Sequence, residues 1–313
     1  MISSAMYIAA VWVSSLLLDR VFGEPSRWHP LVGFGNVSHR LESYLNTTQR
    51  EIVLRLSGVL AWSLLVLPPV ILMWVLRQYF FSFSTTLVFF LDCLVLYWAI
   101  AWRSLCEHIR PVGGALAAGD LADARLRIRY LVSRDTAELD AEEVLSAALE
   151  TTLENSSDAL FASLFWFAVA GPAGIVLHRL ANTLDAMWGY RNKRYRYYGW
   201  WAARSDDVLN FIPAQLTALG FSILALSGRG FRCWFTQGWG WKSINAGSVM
   251  ASGAAALNIY LGGAASYHGE SFLRPILGCG SRPAVADLER GIGLINRQLI
   301  LWFAVAVAGG VLL

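Results

Sequence analysis

Apolar runs alternate with polar stretches along this chain on the length scale of a bilayer-crossing helix, about twenty residues. The apolar runs cover residues 6–18, 56–76, 80–102, 160–177, 208–226, 246–263 and 299–313. The pattern predicts an all-α, polytopic membrane helical bundle, with residues 1–313 forming a single membrane domain. Pro68 and Pro69 should kink the second run, and Gly171-Pro172 breaks the fourth. The run at 246–263 is rich in Gly, Ala and Ser, which favours close helix packing. Residues 103–159 form the one long polar insertion and read as helical, and 264–297 read as a polar return loop. The first and last runs are short for a span.

Composition agrees with a membrane protein: 56% of residues are hydrophobic, mean hydropathy is +0.47, and fourteen Trp can anchor the two interfaces. The net charge of +3 says less than its placement. If 19–55, 103–158, 179–207 and 274–297 face the cytoplasm, they hold 21 of the 25 Lys and Arg residues. Arg77, Arg229, Arg232 and Lys242 are then left on the other side. This division requires that 160–177 not cross, so a re-entrant or broken helix is predicted at Gly171-Pro172, with the insertion cytoplasmic. The four cysteines fall at no metal-ligand spacing and read as reduced and structural.

Candidate chemistry concentrates in residues 133–213, where nine acidic residues lie between Asp135 and Asp207. On a helix, Glu143, Glu150, Glu154 and Asp158 share one stripe. Like charges at such spacings repel, so the stripe faces solvent, a basic partner or a divalent cation. Asn182 and Asp185 are three apart, as are Asp207 and Asn210, while Asp206 and Asn210 are four apart. Each pair offers oxygen ligands suited to magnesium, although Ser205 capping a helix decorated with acids would give the same pattern. Arg191, Lys193, Arg194 and Arg196 suit either a phosphate clamp or contact with anionic membrane lipid. Asp92 lies inside an apolar run, where an acid marks a functional position or a bonded helix contact. Glu42 lies outside the acidic cluster and is expected to be dispensable. No phosphate-binding Gly-x-x-x-x-Gly-Lys loop or dinucleotide fingerprint is present.

Taken together, these motifs resemble the CobD/CbiB family, the membrane-bound adenosylcobinamide-phosphate synthases. The resemblance begins at Asp19, Gly23, Pro25, His29, Pro30 and Gly33, with Glu24 where the family usually has Asp. It continues through Ser133-Arg134-Asp135-Thr136, Glu150, Glu154-Asn155, Asp158 and Gly171-Pro172. Asn182-Thr183-Leu184-Asp185, Gly189-Tyr190, Ala203-Arg204, Asp206-Asp207, Asn210, Pro213 and Asn245-Ala246-Gly247 follow in order. Ser248 and Val249 depart from the aromatic and Pro that usually come next.

The resemblance implies an ATP-dependent ligase joining a propionate of adenosylcobyric acid to 1-amino-2-propanol or its O-phosphate. It implies magnesium held by Asp185, Asp206, Asp207 and Glu154, and catalytic roles among Asp135, Glu150, Glu154, Asp158 and Asp185. Substrate contacts are implied for His29, Ser133, Arg134, Asn155, Asn182, Tyr190, Arg204, Asn210 and Asn245. The expected partners are the corrinoid and amino-alcohol substrates, membrane lipid, other late cobalamin-pathway enzymes and a second copy of the chain, with no nucleic acid. The expected location is the bacterial inner membrane, with the active site facing the cytoplasm. Two other classes compete: a magnesium-dependent membrane transferase of diphosphate substrates, and a non-enzymatic AmpE-like signalling protein.

Overall fold

The structure, a computed structural model, describes residues 4–24, 30–48, 50–132, 134–267 and 270–312. His29 and Ser133, both expected to touch substrate, lie outside the described residues. The helices are α1 (Ser4–Phe22), α2 (Pro30–Leu45), α3 (Glu51–Phe81), α4 (Thr85–Ala99), α5 (Trp102–Ala117) and α6 (Leu121–Ile128). They continue with α7 (Ala141–Ser156), α8 (Ala162–Trp188), α9 (Trp200–Leu224), α10 (Gly228–Thr236) and α11 (Ile244–Leu257). An antiparallel pair, β1 (Tyr260–Tyr267) and β2 (Glu270–Gly278), precedes α12 (Ala286–Leu312).

Among the described residues, six stretches are long and apolar enough to cross a membrane: Ser4–Phe22, Glu51–Phe81, Thr85–Ala117, Ala141–Trp188, Trp200–Leu224 and Ala286–Gly309. The chain is an all-α, multi-pass membrane protein. The chain divides into two compact units. One holds Tyr7–Ala101 and Ala162–Asn210, the other Met1–Met6, Trp102–Phe161 and Phe211–Leu313.

In the first of these, α3 and α4 pack against α8. Gly171 in α8 has φ 62° and ψ −153°, a conformation open essentially to glycine alone. The helix reverses there. A Cβ built on Gly174 would lie 2.6 Å from the carbonyl oxygen of Trp166, a residue that a straight helix would hold about 12 Å away. Trp166 Nε1 donates to Leu209 O at 3.0 Å, and His178 Nε2 lies 2.8 Å from Asn210 Oδ1. Adjacent residues of α9 thus meet both limbs of α8, and the expected re-entrant hairpin is present. Beside its tip stands Arg77, paired with the fully buried Asp92 at 3.0 Å, and Tyr7 Oη donates to the same carboxylate at 2.9 Å. Asp92 is therefore a bonded helix contact.

In the second unit, α7 starts from a reciprocal cap in which Asp140 accepts from the Glu143 amide and Glu143 from the Asp140 amide. A π-helical turn, Ser157–Phe161, follows it. Three expectations change here. The return loop at 264–297 is instead the β1–β2 pair, followed by α12 from Ala286. That earlier start gives the last span its missing length.

The third change concerns 246–263, which does not span. Its helix α11 ends at Leu257, where Asn258 takes a left-handed conformation. Small residues bury α11 on nearly every side. Residues before and after it are joined directly: Arg229 Nη1 donates to Asn258 Oδ1 at 2.7 Å, and the Gln237 amide both donates to and accepts from the Gly278 backbone. Arg229, Arg232 and Lys242 are therefore not divided by α11 from the segment that carries Arg274.

Single cysteines in place of Gly228 and Ser281, in a cysteine-free background, should react with a membrane-impermeant maleimide from the same side. Labelling from opposite sides would show that α11 crosses.

Candidate functional site

The acids that share one stripe in sequence have separate fates in the second unit. Glu143 is used in the cap of α7. Glu150 is buried and saturated with donors. Its Oε1 accepts from Arg274 Nη2 at 2.9 Å, Gly262 N at 3.2 Å and Ser146 Oγ at 3.3 Å. Its Oε2 accepts from Arg274 Nη1 at 2.9 Å and Arg134 Nη2 at 3.3 Å. The Trp241 ring covers the Arg274 guanidinium, 5.8 Å from its centroid. A carboxylate bound this way has its acceptor positions filled by the protein itself.

Glu154, one turn on and half-buried, makes no hydrogen bond or ion pair among the described residues and feels the charge of Glu150. Asp158 lies in the π-helical turn, a distortion frequent at functional sites. Asp135 is exposed, and its side chain accepts from the Ala137 amide at 3.0 Å. Asn155 is half-buried on α7, and Asn245 is half-buried in the first turn of α11.

In the first unit, the returning limb of α8 and the first turns of α9 bring the paired acids and amides together. Asp206 Oδ1 accepts from Asn210 Nδ2 at 2.9 Å and from Asn182 Nδ2 at 3.2 Å. Asp185 lies within electrostatic reach of both Asp206 and Asp207. Arg204 Nη1 reaches Asp207 Oδ2 at 3.4 Å, an exposed pair contributing about 0–1 kcal/mol. Tyr190 is exposed. Helix α9 begins at Trp200, so Ser205 does not cap it and instead donates to Ala202 O. The acids at 206 and 207 therefore project from the second turn of a formed helix.

Among the described residues, no three His, Cys, Asp or Glu side chains close to a metal-holding group. The chemistry of the donors nevertheless fits a hard cation: Asp185, Asp206 and Asp207 offer oxygen alone, and their mutual repulsion would fall on binding one.

Sequence reasoning missed three residues. Arg274 gives no signal in a polar stretch without periodicity. His178 could have been noticed as a lone histidine in an apolar run. Glu42, expected to be dispensable, is instead 1% exposed, and Arg194 binds it through Nε at 3.0 Å and Nη2 at 2.5 Å, with Asn46 at 2.6 Å. The phosphate-clamp cluster thus spends one of its members on α2. Burial would raise the Glu42 carboxyl, but the Arg194 and Asn46 hydrogen bonds outweigh it and hold the group below its ordinary range.

A family model described as CobD/Cbib protein matches residues 12–295. The chain is 49% identical over 303 residues to the cobalamin biosynthesis protein CobD of Chromobacterium violaceum, covering 96% of each chain. It is also 49% identical over 298 residues to that of Stutzerimonas stutzeri, covering 95% of this chain and 96% of the relative. To that of Geobacter metallireducens it is 38% identical over 296 residues, covering 90% of each. No solved structure matches the chain.

Two outcomes should follow from this geometry. Glu150→Gln should lower stability by about 3–5 kcal/mol, because two largely buried guanidinium groups lose their counter-charge. Glu154→Gln should change it by less than about 0.5 kcal/mol, since no bond is lost. Thermal unfolding in detergent separates the two.

Glu42→Gln should cost about 1.5–3 kcal/mol. The folded value of Glu42 lies below the unfolded one. Its contribution is therefore full above the ordinary carboxylate range and is lost as pH falls through the lowered value. The variant should accordingly show a flatter acid limb of stability against pH than the parent.

Proposed function

The chain belongs to the CobD/CbiB family, and from that membership and the grouped acids of α8 and α9 we propose an ATP-dependent amide ligase. It joins a propionate carboxylate of adenosylcobyric acid to 1-amino-2-propanol or its O-phosphate. The observation that carries the reading is the set Asp185, Asp206 and Asp207, braced by Asn182 and Asn210 where α9 runs beside the returning limb of α8.

A carboxylate is a poor electrophile at neutral pH, so the propionate must first gain a leaving group. Transfer of the terminal phosphoryl of ATP gives an acyl phosphate, and attack by the neutral amine then expels phosphate. Asp185, Asp206 and Asp207 would hold magnesium, which supplies charge neutralisation for the ATP phosphates when bound. Asn182 and Asn210 keep the Asp206 carboxylate oriented. Arg204, exposed beside Asp207, is placed to pair with an anionic oxygen of a reactant. In the second unit, Glu154 is the carboxylate of α7 left without a bonded partner among the described residues, because its neighbour Glu150 takes both arginines. ATP supply sets the orientation, with the reacting groups facing the cytoplasm across a bacterial inner membrane.

Detergent-solubilised protein should hydrolyse ATP only when cobyric acid and the amino alcohol are both present. Asp207→Asn should remain folded and lose about a hundredfold in turnover, roughly 2.7 kcal/mol of transition-state stabilisation. Raised magnesium should restore part of the loss. Asn variants of all three aspartates that turn over like the parent at limiting magnesium would refute the metal assignment. ATP hydrolysis indifferent to both co-substrates would refute the ligase.

A further inference from the structure

His178 lies on the returning limb of α8 and is fully buried. Its Nε2 is 2.8 Å from Asn210 Oδ1, and Asn210 Nδ2 is 2.9 Å from Asp206 Oδ1. An ionised carboxylate only accepts, so it turns the Asn210 amide nitrogen toward itself and the amide oxygen toward His178. His178 must then hold its proton on Nε2 and donate. That leaves a lone pair on Nδ1, which is buried and meets no partner among the described residues.

An orphan polar atom in the interior calls for a compensating role, because Phe or Leu would fill the same space without one. The role is visible one link along. Asn210 and Asn182 both donate to Oδ1 of Asp206, and Oδ2 accepts no hydrogen bond among the described residues. The chain from His178 to Asn210 to Asp206 therefore selects which carboxylate oxygen is occupied by the protein and which is offered outward. Without the histidine donor, the Asn210 amide is free to rotate, and Asp206 loses one of the two hydrogen bonds that hold its plane.

Resting on the ligase reading above, we infer that His178 is a positioning residue: through Asn210 it presents Oδ2 of Asp206 to the divalent cation that accompanies ATP. Groups of this kind behind a ligand change metal affinity by about 10–100-fold when removed. They do so without touching metal or substrate.

The test is titration of detergent-solubilised protein with Mn2+, followed by electron paramagnetic resonance, alongside the ligase assay. His178→Phe should weaken Mn2+ binding about 10–100-fold. Its half-saturating metal concentration should rise, while kcat at saturating metal changes much less. His178→Gln, which restores an N–H donor, should recover most of the affinity. If His178→Phe does not accumulate as folded protein, Asn210→Ser interrupts the same chain one residue on and should give the same shift.

Unchanged Mn2+ affinity in the folded variant, with Asp206→Asn losing it, would overturn the role of His178 and leave the metal assignment standing. Equal loss in His178→Phe and His178→Gln, with kcat falling in parallel, would mark His178 as a packing residue and overturn the inference. A parent protein that binds no Mn2+ would overturn the metal assignment and the inference together.

Discussion

A helix that reverses inside an apolar segment frees backbone groups that lipid cannot satisfy, and the reversal of α8 at Gly171 is the constraint on which the membrane unit is built. The segment survives because protein surrounds it on several sides. Helices α3 and α4 pack along it, Trp166 bonds to the backbone of α9, and the Arg77–Asp92 pair stands at the tip. A conformation such as that of Gly171 costs about 1–3 kcal/mol and persists only where its surroundings fix it. The reversal keeps Asn182 and Asp185 on a limb that returns beside α9, so the acids meet Asp206 and Asn210.

The acids of this chain, similar in sequence, do three kinds of work. Glu143 closes a helix end, Asp92, Glu42 and Glu150 neutralise arginines, and Glu154, Asp185 and Asp206 form no ion pair among the described residues. Desolvation separates these groups. A buried carboxylate must be neutralised by a partner, and one that has none retains its charge only at a cost. Asp207 stands between the two cases, paired with Arg204 at 3.4 Å but exposed to solvent.

Much of this was legible in the sequence. Period and length revealed the spans, and Gly171-Pro172 marked where α8 turns back, whereas the charge division failed at Arg229, Arg232 and Lys242, which α11 does not separate from residues 274–297. The pairs Asn182–Asp185 and Asp206–Asn210 follow from helical spacing and do meet. Other features depend on contacts between segments far apart in the chain, for which local pattern has no representation. Glu42 finds Arg194 across 152 positions, and Glu150 finds Arg274 across 124. The run at 246–263 misled because Gly, Ala and Ser are as apolar in a buried protein helix as in a membrane. Only its neighbours show that α11 is enclosed by protein.

The strand pair holds one last consequence. Gly262 faces Ile276 and Gly263 faces Arg274, so Pro275 is the extra residue of a β-bulge, as suits a residue with no N–H for the ladder. Along a regular strand, residues 274 and 276 would point the same way. Here Arg274 turns inward to Glu150, while Ile276 is exposed. The bulge acts as a parity switch: one surplus residue inverts the count of inward and outward positions on β2. An arginine can then reach the protein interior from a strand whose next outward residue is isoleucine. A proline that takes no part in pairing decides where the charge points.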